Sequence, residues 1–158
     1  MQKIYYIITA ILGITFANAQ IIPRYYQITN LGYLSDEHQA SWGVALNDSL
    51  EVTGQSMNDY VQIGGLLVSS NHGFYWRDNE MIDIGSFAEA QGASHVNDIN
   101  NDGVVVGFSC EMAFKWEDGQ LTQLNGPLGY PVGTAYGIND SGLIVGSLWF
   151  WYGYRAVV

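Results

Sequence analysis

Cysteine is nearly missing from this chain, and Cys110 alone cannot form an internal disulfide, so the fold must hold without covalent staples. A small buried apolar side chain is the role expected of that residue. Basic residues are scarce as well: five Lys and Arg stand against fifteen Asp and Glu. Arg24, Arg77, Lys115 and Arg155 are scattered rather than clustered. A nucleic-acid partner is thereby disfavoured, because phosphate binding needs a concentrated positive patch. The strong helix formers are sparse, and beyond the first residues no window of helical length sustains a 3.6-residue apolar period. No nucleophile motif of the G-x-S-x-G kind occurs. The Gly-rich IGGLL from Ile63 to Leu67 precedes no helix and is no phosphate cradle. His38, His72 and His95 fall in different segments, without the short spacing that zinc ligands need. No cofactor or metal is expected.

What is present begins with a leader. Lys3 precedes the apolar run Ile4–Phe16, and the small-residue pattern Ala17-Asn18-Ala19 follows. That order is a secretory signal peptide over residues 1–19, cut before Gln20. The apolar run falls short of the roughly twenty residues that cross a bilayer as a helix. The expectation is a secreted or periplasmic domain over residues 20–158, free of the membrane after cleavage, whose acidity favours solubility.

The rest of the chain repeats itself. ALNDSLEVTG from Ala45, DINNDGVVVG from Asp98 and GINDSGLIVG from Gly137 align, and HGFYW, MAFKW and RAVV follow them in turn. YQITNLG from Tyr26, MIDIGSF from Met81 and LTQLNGP from Leu121 precede them. Short β-branched or aromatic pieces broken by Asn, Asp, Gly and Ser are strands joined by tight turns, so the chain reads as all-β, with four strand-length pieces per unit. DINNDG carries the opening spacing of a calcium loop. Its sisters, however, place Ala45 and Gly137 at the position of Asp98, and Ser109 stands where a twelfth-position carboxylate is needed. The shared Asn-Asp-Gly chemistry predicts hairpin turns, with positive φ at Gly103 and Gly142.

These elements resemble the extracellular HAF repeat, a D-L-G strand, a G-I-N-x-x-G-x-V-V-G hairpin and an H-A-F-L-W strand. The namesake His is present as His72 and replaced by Met112 and Arg155. The resemblance implies secretion and a repeat scaffold over about residues 26–80, 81–120 and 121–158, and brings no catalytic residues with it. Four short strands per unit predict a propeller-like array of three antiparallel repeats. The chain opens on a fourth-strand element and closes on a third-strand element. The strand around Tyr26–Leu31 is therefore expected to pair with the one around Arg155–Val158, within a monomer or between two chains of a homodimer.

Asp48, Asp102 and Asp140 stand at the repeated turns and read as turn chemistry rather than as acid and base. Two stretches exceed the scaffold: the insertion from Gln55 to Asn71, which holds Tyr60, and LWFWYGY, which holds Trp149, Phe150, Trp151, Tyr152 and Tyr154. Exposed aromatic rings stack on sugars and partner side chains. The expectation is a non-enzymatic module that binds a protein or glycan partner through these inter-strand loops. A polysaccharide-acting propeller enzyme, or a piece of a longer repeat protein, are the alternatives.

Overall fold

The computed structural model describes residues 27–36, 38–58, 61–63, 66–68, 71–88, 92–126, 133–150 and 153–158. Residues 1–19, where the signal peptide is expected, lie outside the described residues, as do Tyr60, Trp151 and Tyr152. All regular structure among those described is β. Strands β1 (His38–Leu46), β2 (Val52–Asn58), β5 (Asn71–Arg77) and β6 (Glu80–Asp83) form a first antiparallel sheet in the order β1-β2-β5-β6. The insertion within it folds into its own hairpin, β3 (Val61–Ile63) with β4 (Leu66–Val68). Strands β7 (Ser94–Ile99), β8 (Val105–Ser109), β9 (Met112–Glu117) and β10 (Gln120–Gln123) form a second sheet, each pairing with its neighbour in sequence. A third sheet contains β11 (Thr134–Ile138), β12 (Ile144–Phe150) and β13 (Gly153–Val157).

Each sheet starts with the same hairpin. Asn47, Asn100 and Asn139 close three-residue loops through paired backbone bonds, such as Gly103 N to Asn100 O and Asn100 N to Val104 O, both 3.1 Å. This is the geometry of a type I turn followed by a left-handed residue. That last position is held by Gly103 at φ 79° and Gly142 at φ 78°, as the sequence predicts, but by Leu50 at φ 62° in the first sheet. The side-chain oxygen of each Asn accepts two backbone N–H groups of its own loop, from Ser49 and Glu51, Asp102 and Val104, and Ser141 and Leu143. Such Asx bonding explains why Asn, and not merely a polar residue, starts every turn.

The first strand of each sheet also carries a β-bulge, between Gly43 and Ala45, Val96 and Asp98, and Ala135 and Gly137. An alternating pattern does not announce an inserted residue. Its consequence is visible in sequence all the same, because the partner strand offers glycine at the same register. A Cβ on Gly54, Gly107 or Gly146 would lie 2.1, 1.9 or 2.4 Å from the carbonyl oxygen of Trp42, His95 or Thr134. The terminal Gly of each repeat motif is therefore a close-approach glycine.

The sheets stack. Val105 and Val106, adjacent on β8 and fully buried, point to opposite faces. Val105 joins Tyr75, Ile84, Val96, Ile99, Phe114 and Trp116 in a core shared with the first sheet, whereas Val106 joins Ala113, Ala135 and Leu148 in one shared with the third. At about 25 cal/mol per Å² of buried apolar surface, these two seams are the main cohesion of an unstapled chain. The second sheet is covered on both faces and the outer two on one. Val145 of β12, on the open face of the third sheet, is 45% exposed.

Closure of the array by its terminal strands is not observed. Residues 27–31 form no strand, Ile28 is 95% exposed, and β13 pairs only with β12 among the described residues. The N-terminal segment runs instead onto the first sheet, where Leu34 N donates to Ser56 Oγ at 3.2 Å and Ser41 Oγ donates to Gly32 O at 2.7 Å. The reason is the stacking order. Both outer sheets pack on the second sheet, which leaves their remaining faces apart.

Candidate functional site

Two places concentrate polar or aromatic side chains, the row of hairpin turns and a cleft at the opposite ends of the strands. Across the turns, Asn47 Nδ2 donates to Asn100 O at 2.9 Å, and Asn100 Nδ2 donates to Asn139 O at 3.2 Å. One residue further on, Asp48 N donates to Asn101 Oδ1 and Asn101 N donates to Asp140 Oδ1. The Asn101 amide nitrogen then donates to both flanking carboxylates, at 3.1 Å to Asp48 Oδ2 and 2.9 Å to Asp140 Oδ2. Asn101, not Asp102, thus occupies the position of Asp48 and Asp140, which corrects the expected trio of equivalent carboxylates. The row alternates acid, amide, acid, and each carboxylate is spent on an N–H.

Asp98, the first residue of the calcium-like spacing, is engaged in the same way. Its Oδ2 accepts Ile138 N at 2.9 Å, while neighbouring Asn97 donates from Nδ2 to Ala135 O at 2.7 Å. Both bonds fasten the second sheet's bulge to that of the third. At the first seam the buried Glu51 carboxylate accepts from Tyr75 Oη at 2.6 Å, Asn47 Nδ2 at 2.5 Å and Arg77 at 3.3 Å. Burial pushes this carboxyl up, but the three donors together outweigh it and hold Glu51 below the usual carboxylate range. Glu51 is a fixed structural anion.

The cleft is the second place. It encloses about 710 Å³ between the β8–β9 turn and the β12–β13 hairpin, with Phe108, Cys110, Glu111 and Met112 on one side and Gly133, Thr134, Trp149 and Tyr154 on the other. Trp149 and Tyr154 are cross-strand partners whose rings meet edge to face at 4.9 Å. They are 60% and 70% exposed, so the pair is fixed in mutual orientation yet open to solvent. Two of the sequence-predicted aromatic residues are thereby brought together. Phe150 ends β12, and the remaining three lie outside the described residues.

Cys110 corrects its expectation: it is exposed, in the left-handed region at φ 51°, because it starts the β8–β9 turn rather than filling a core. Phe108, Glu111 and Met112 escaped sequence reasoning because they reach the cleft from another repeat. The two described imidazoles have separate surroundings, His72 Nδ1 lying 2.8 Å from Asp83 Oδ2 and His95 stacking on Phe108 at 4.7 Å. No protein-family model, curated protein or solved structure matches the chain.

Proposed function

We propose that this chain is an extracytoplasmic binding module of the HAF-repeat kind, a propeller-like array that engages a protein or glycan partner and performs no chemistry on it. The observation that carries the reading is the Trp149–Tyr154 pair, two exposed rings held edge to face at the mouth of a cleft. An apolar corner of this shape is costly to leave in water and suits the C–H face of a sugar ring or an apolar side chain. The leader and the repeat resemblance support export. Glycoside hydrolysis would require two carboxylates facing one bond, and Glu111 is the one carboxylate among the described residues that line the cleft.

The test is a glycan array read with the full chain, followed by titration of any retained oligosaccharide while Trp fluorescence is recorded. The expected result is binding that falls at least tenfold, a loss of about 1.4 kcal/mol, in both Trp149→Ala and Tyr154→Ala. Binding unchanged in both variants would remove the cleft from the reading. Release of reducing ends would make the protein an enzyme.

A further inference from the structure

The two outer sheets each leave one face open, and the repeat identifies what those faces are built to meet. Where the second sheet buries Ile99, Val105 and Trp116 against the first sheet, the first sheet has at the equivalent positions a 67% exposed Leu46 and the half-buried Val52 and Trp76. Where the second sheet buries Val106 and Ala113 against the third, the third has Val145, 45% exposed, and the exposed Ala156. One open face thus presents the residues that elsewhere receive a preceding sheet, and the other presents those that receive a following one.

Strand supply agrees with this. The segment before Gly32 is the sequence equivalent of β6 and β10, the outer strands that lead from one sheet to the next. Its continuation behaves identically: Gly32 has φ 85° where Gly85 has 76°, and Leu34 N donates to Ser56 Oγ as Phe87 N donates to Ser109 Oγ, at 3.2 and 3.1 Å. Residues 27–31 therefore stand where the outer strand of a sheet preceding the first would stand, yet they pair with nothing described and expose Ile28. The third sheet has three strands where the others have four, with no strand described beyond β13. The internal joints also set the register. Ile84 N donates to Gly73 O and Leu124 N donates to Ala113 O, and the residue equivalent to Gly73 and Ala113 on β13 is Ala156.

We propose that two copies of this chain associate head to tail, residues 27–31 of each forming the fourth strand of the other's third sheet, with Leu31 N on Ala156 O and Asn30 opposite Val157. The third sheet of one copy then covers the first sheet of its partner at both joints, and the two sets of three sheets close a ring of six, within the four to eight sheets that such rings contain. The occupant is specific because the open faces are unlike each other and complementary. The cleft lies clear of the joint: Cys110, which the repeat places at the position of Trp149, stays exposed even though the third sheet covers its own.

The joint differs from the internal seams in one respect. Asp140 of one copy meets Asp48 of the other with no amide such as Asn101 between them, and two carboxylates side by side weaken association at neutral pH. This gives the proposal a readout that general apolar sticking does not share. Asp48→Asn sets an amide beside the partner's Asp140 at the joint, as Asn101 is set beside Asp140 within the chain, and is expected to tighten the dimer about fivefold, a change of about 1 kcal/mol.

The experiment measures the mass of the full chain by light scattering across micromolar concentrations, where a dimer is expected. Asn30→Cys and Val157→Cys are then made separately, each with Cys110→Ser, and mixed under mild oxidation. The expected product is a disulfide-linked pair that forms in the mixture and in neither variant alone. A monomer at every concentration overturns the proposal, and this measurement needs no variant to fold. So does a disulfide closing within one chain of the double variant, a mass that climbs beyond the dimer, or an Asp48→Asn dimer no tighter than the parent. The proposal rests on the stacked sheets and not on the ligand of the cleft, so glycan binding can fail while the dimer stands.

Discussion

Val157 shows how far a single side chain can be read against its sisters. Phe74 and Phe114, 1% and 0% exposed, lie over Gly54 and Gly107, whose built Cβ atoms would fall 2.6 and 3.0 Å from the ring carbons. Val157 pairs with Gly146 in the same register and is too small to fill the place. An apolar recess of about 190 Å³ remains there, lined by Leu124, Ala135, Ile144, Gly146, Val157 and Val158. Val157→Phe should fill part of it and raise stability by roughly 1 kcal/mol, given about 24 cal/mol for each Å³ of cavity removed. Urea unfolding checks this: a midpoint that falls would mean that the recess cannot accept the ring. The recess was legible in the sequence only as a missing aromatic residue in RAVV. The Asn-started turns and their positive-φ glycines were legible in full, because each residue type there answers a local backbone demand. The exposure of Cys110 was not, because a five-residue stretch such as FSCEM fits a strand or a strand and a turn equally well.

Among the elements, the β5–β6 hairpin links stability to pH. The hydrogen bond between His72 and Asp83 raises the imidazole above its ordinary 6.5, against a smaller opposing effect of partial burial. A raised folded value means that the charged pair stabilises the hairpin fully below pH 6.5 and that this contribution disappears as pH rises through the folded value. His95 works in the other direction, since burial lowers its pKa and the folded state prefers the neutral ring. Its contribution is present above its ordinary value and lost as pH falls. The wild type alone therefore mixes two opposed effects, and the useful quantity is the difference from His72→Gln. That difference should be about 0.5 kcal/mol at pH 5.5, modest because Asp83 is nearly half exposed, and should shrink towards zero by pH 8.5. A difference that is constant with pH would show that the pair carries no charge. The strands themselves were readable from period and turn chemistry. The bulges were not, since an inserted residue leaves apolar alternation intact on either side, and only the recurrent glycine opposite it betrays the kink. The insertion after Gly54 read as a loop and contains a hairpin, because short runs such as VQI and LLV fall below the length at which periodicity discriminates.

At the scale of the whole molecule, the sheets are unequal in a way that the repeat alone does not suggest. A stacked array gains its stability from each unit and from each seam between neighbours, and the second sheet has two seams where the first and third have one. Its strand β8 is buried from Val105 to Gly107, with Val105 and Val106 at 0% exposure. In β12 the equivalent Ile144 and Val145 are half-buried and exposed, and β13 is exposed from Tyr154 to Ala156 and half-buried only at its ends, Gly153 and Val157. The polar fastenings follow the same gradient. Asn100 bonds both to its own turn and to Asn139 in the next, and receives Asn47 from the one before. Opening the third sheet breaks one seam, whereas opening the second breaks two, together with both sets of Asn bonds. Amide hydrogen exchange should therefore be slowest at Val105–Gly107 and at least tenfold faster in β13, a gap of about 1.4 kcal/mol or more in local opening. The comparison belongs at a concentration where the chain is monomeric, because a partner strand on β13 would slow its exchange as well. Equal protection across the three sheets in that monomer would mean that the array opens as one cooperative body and that the seams, not the sheets, are its strongest part.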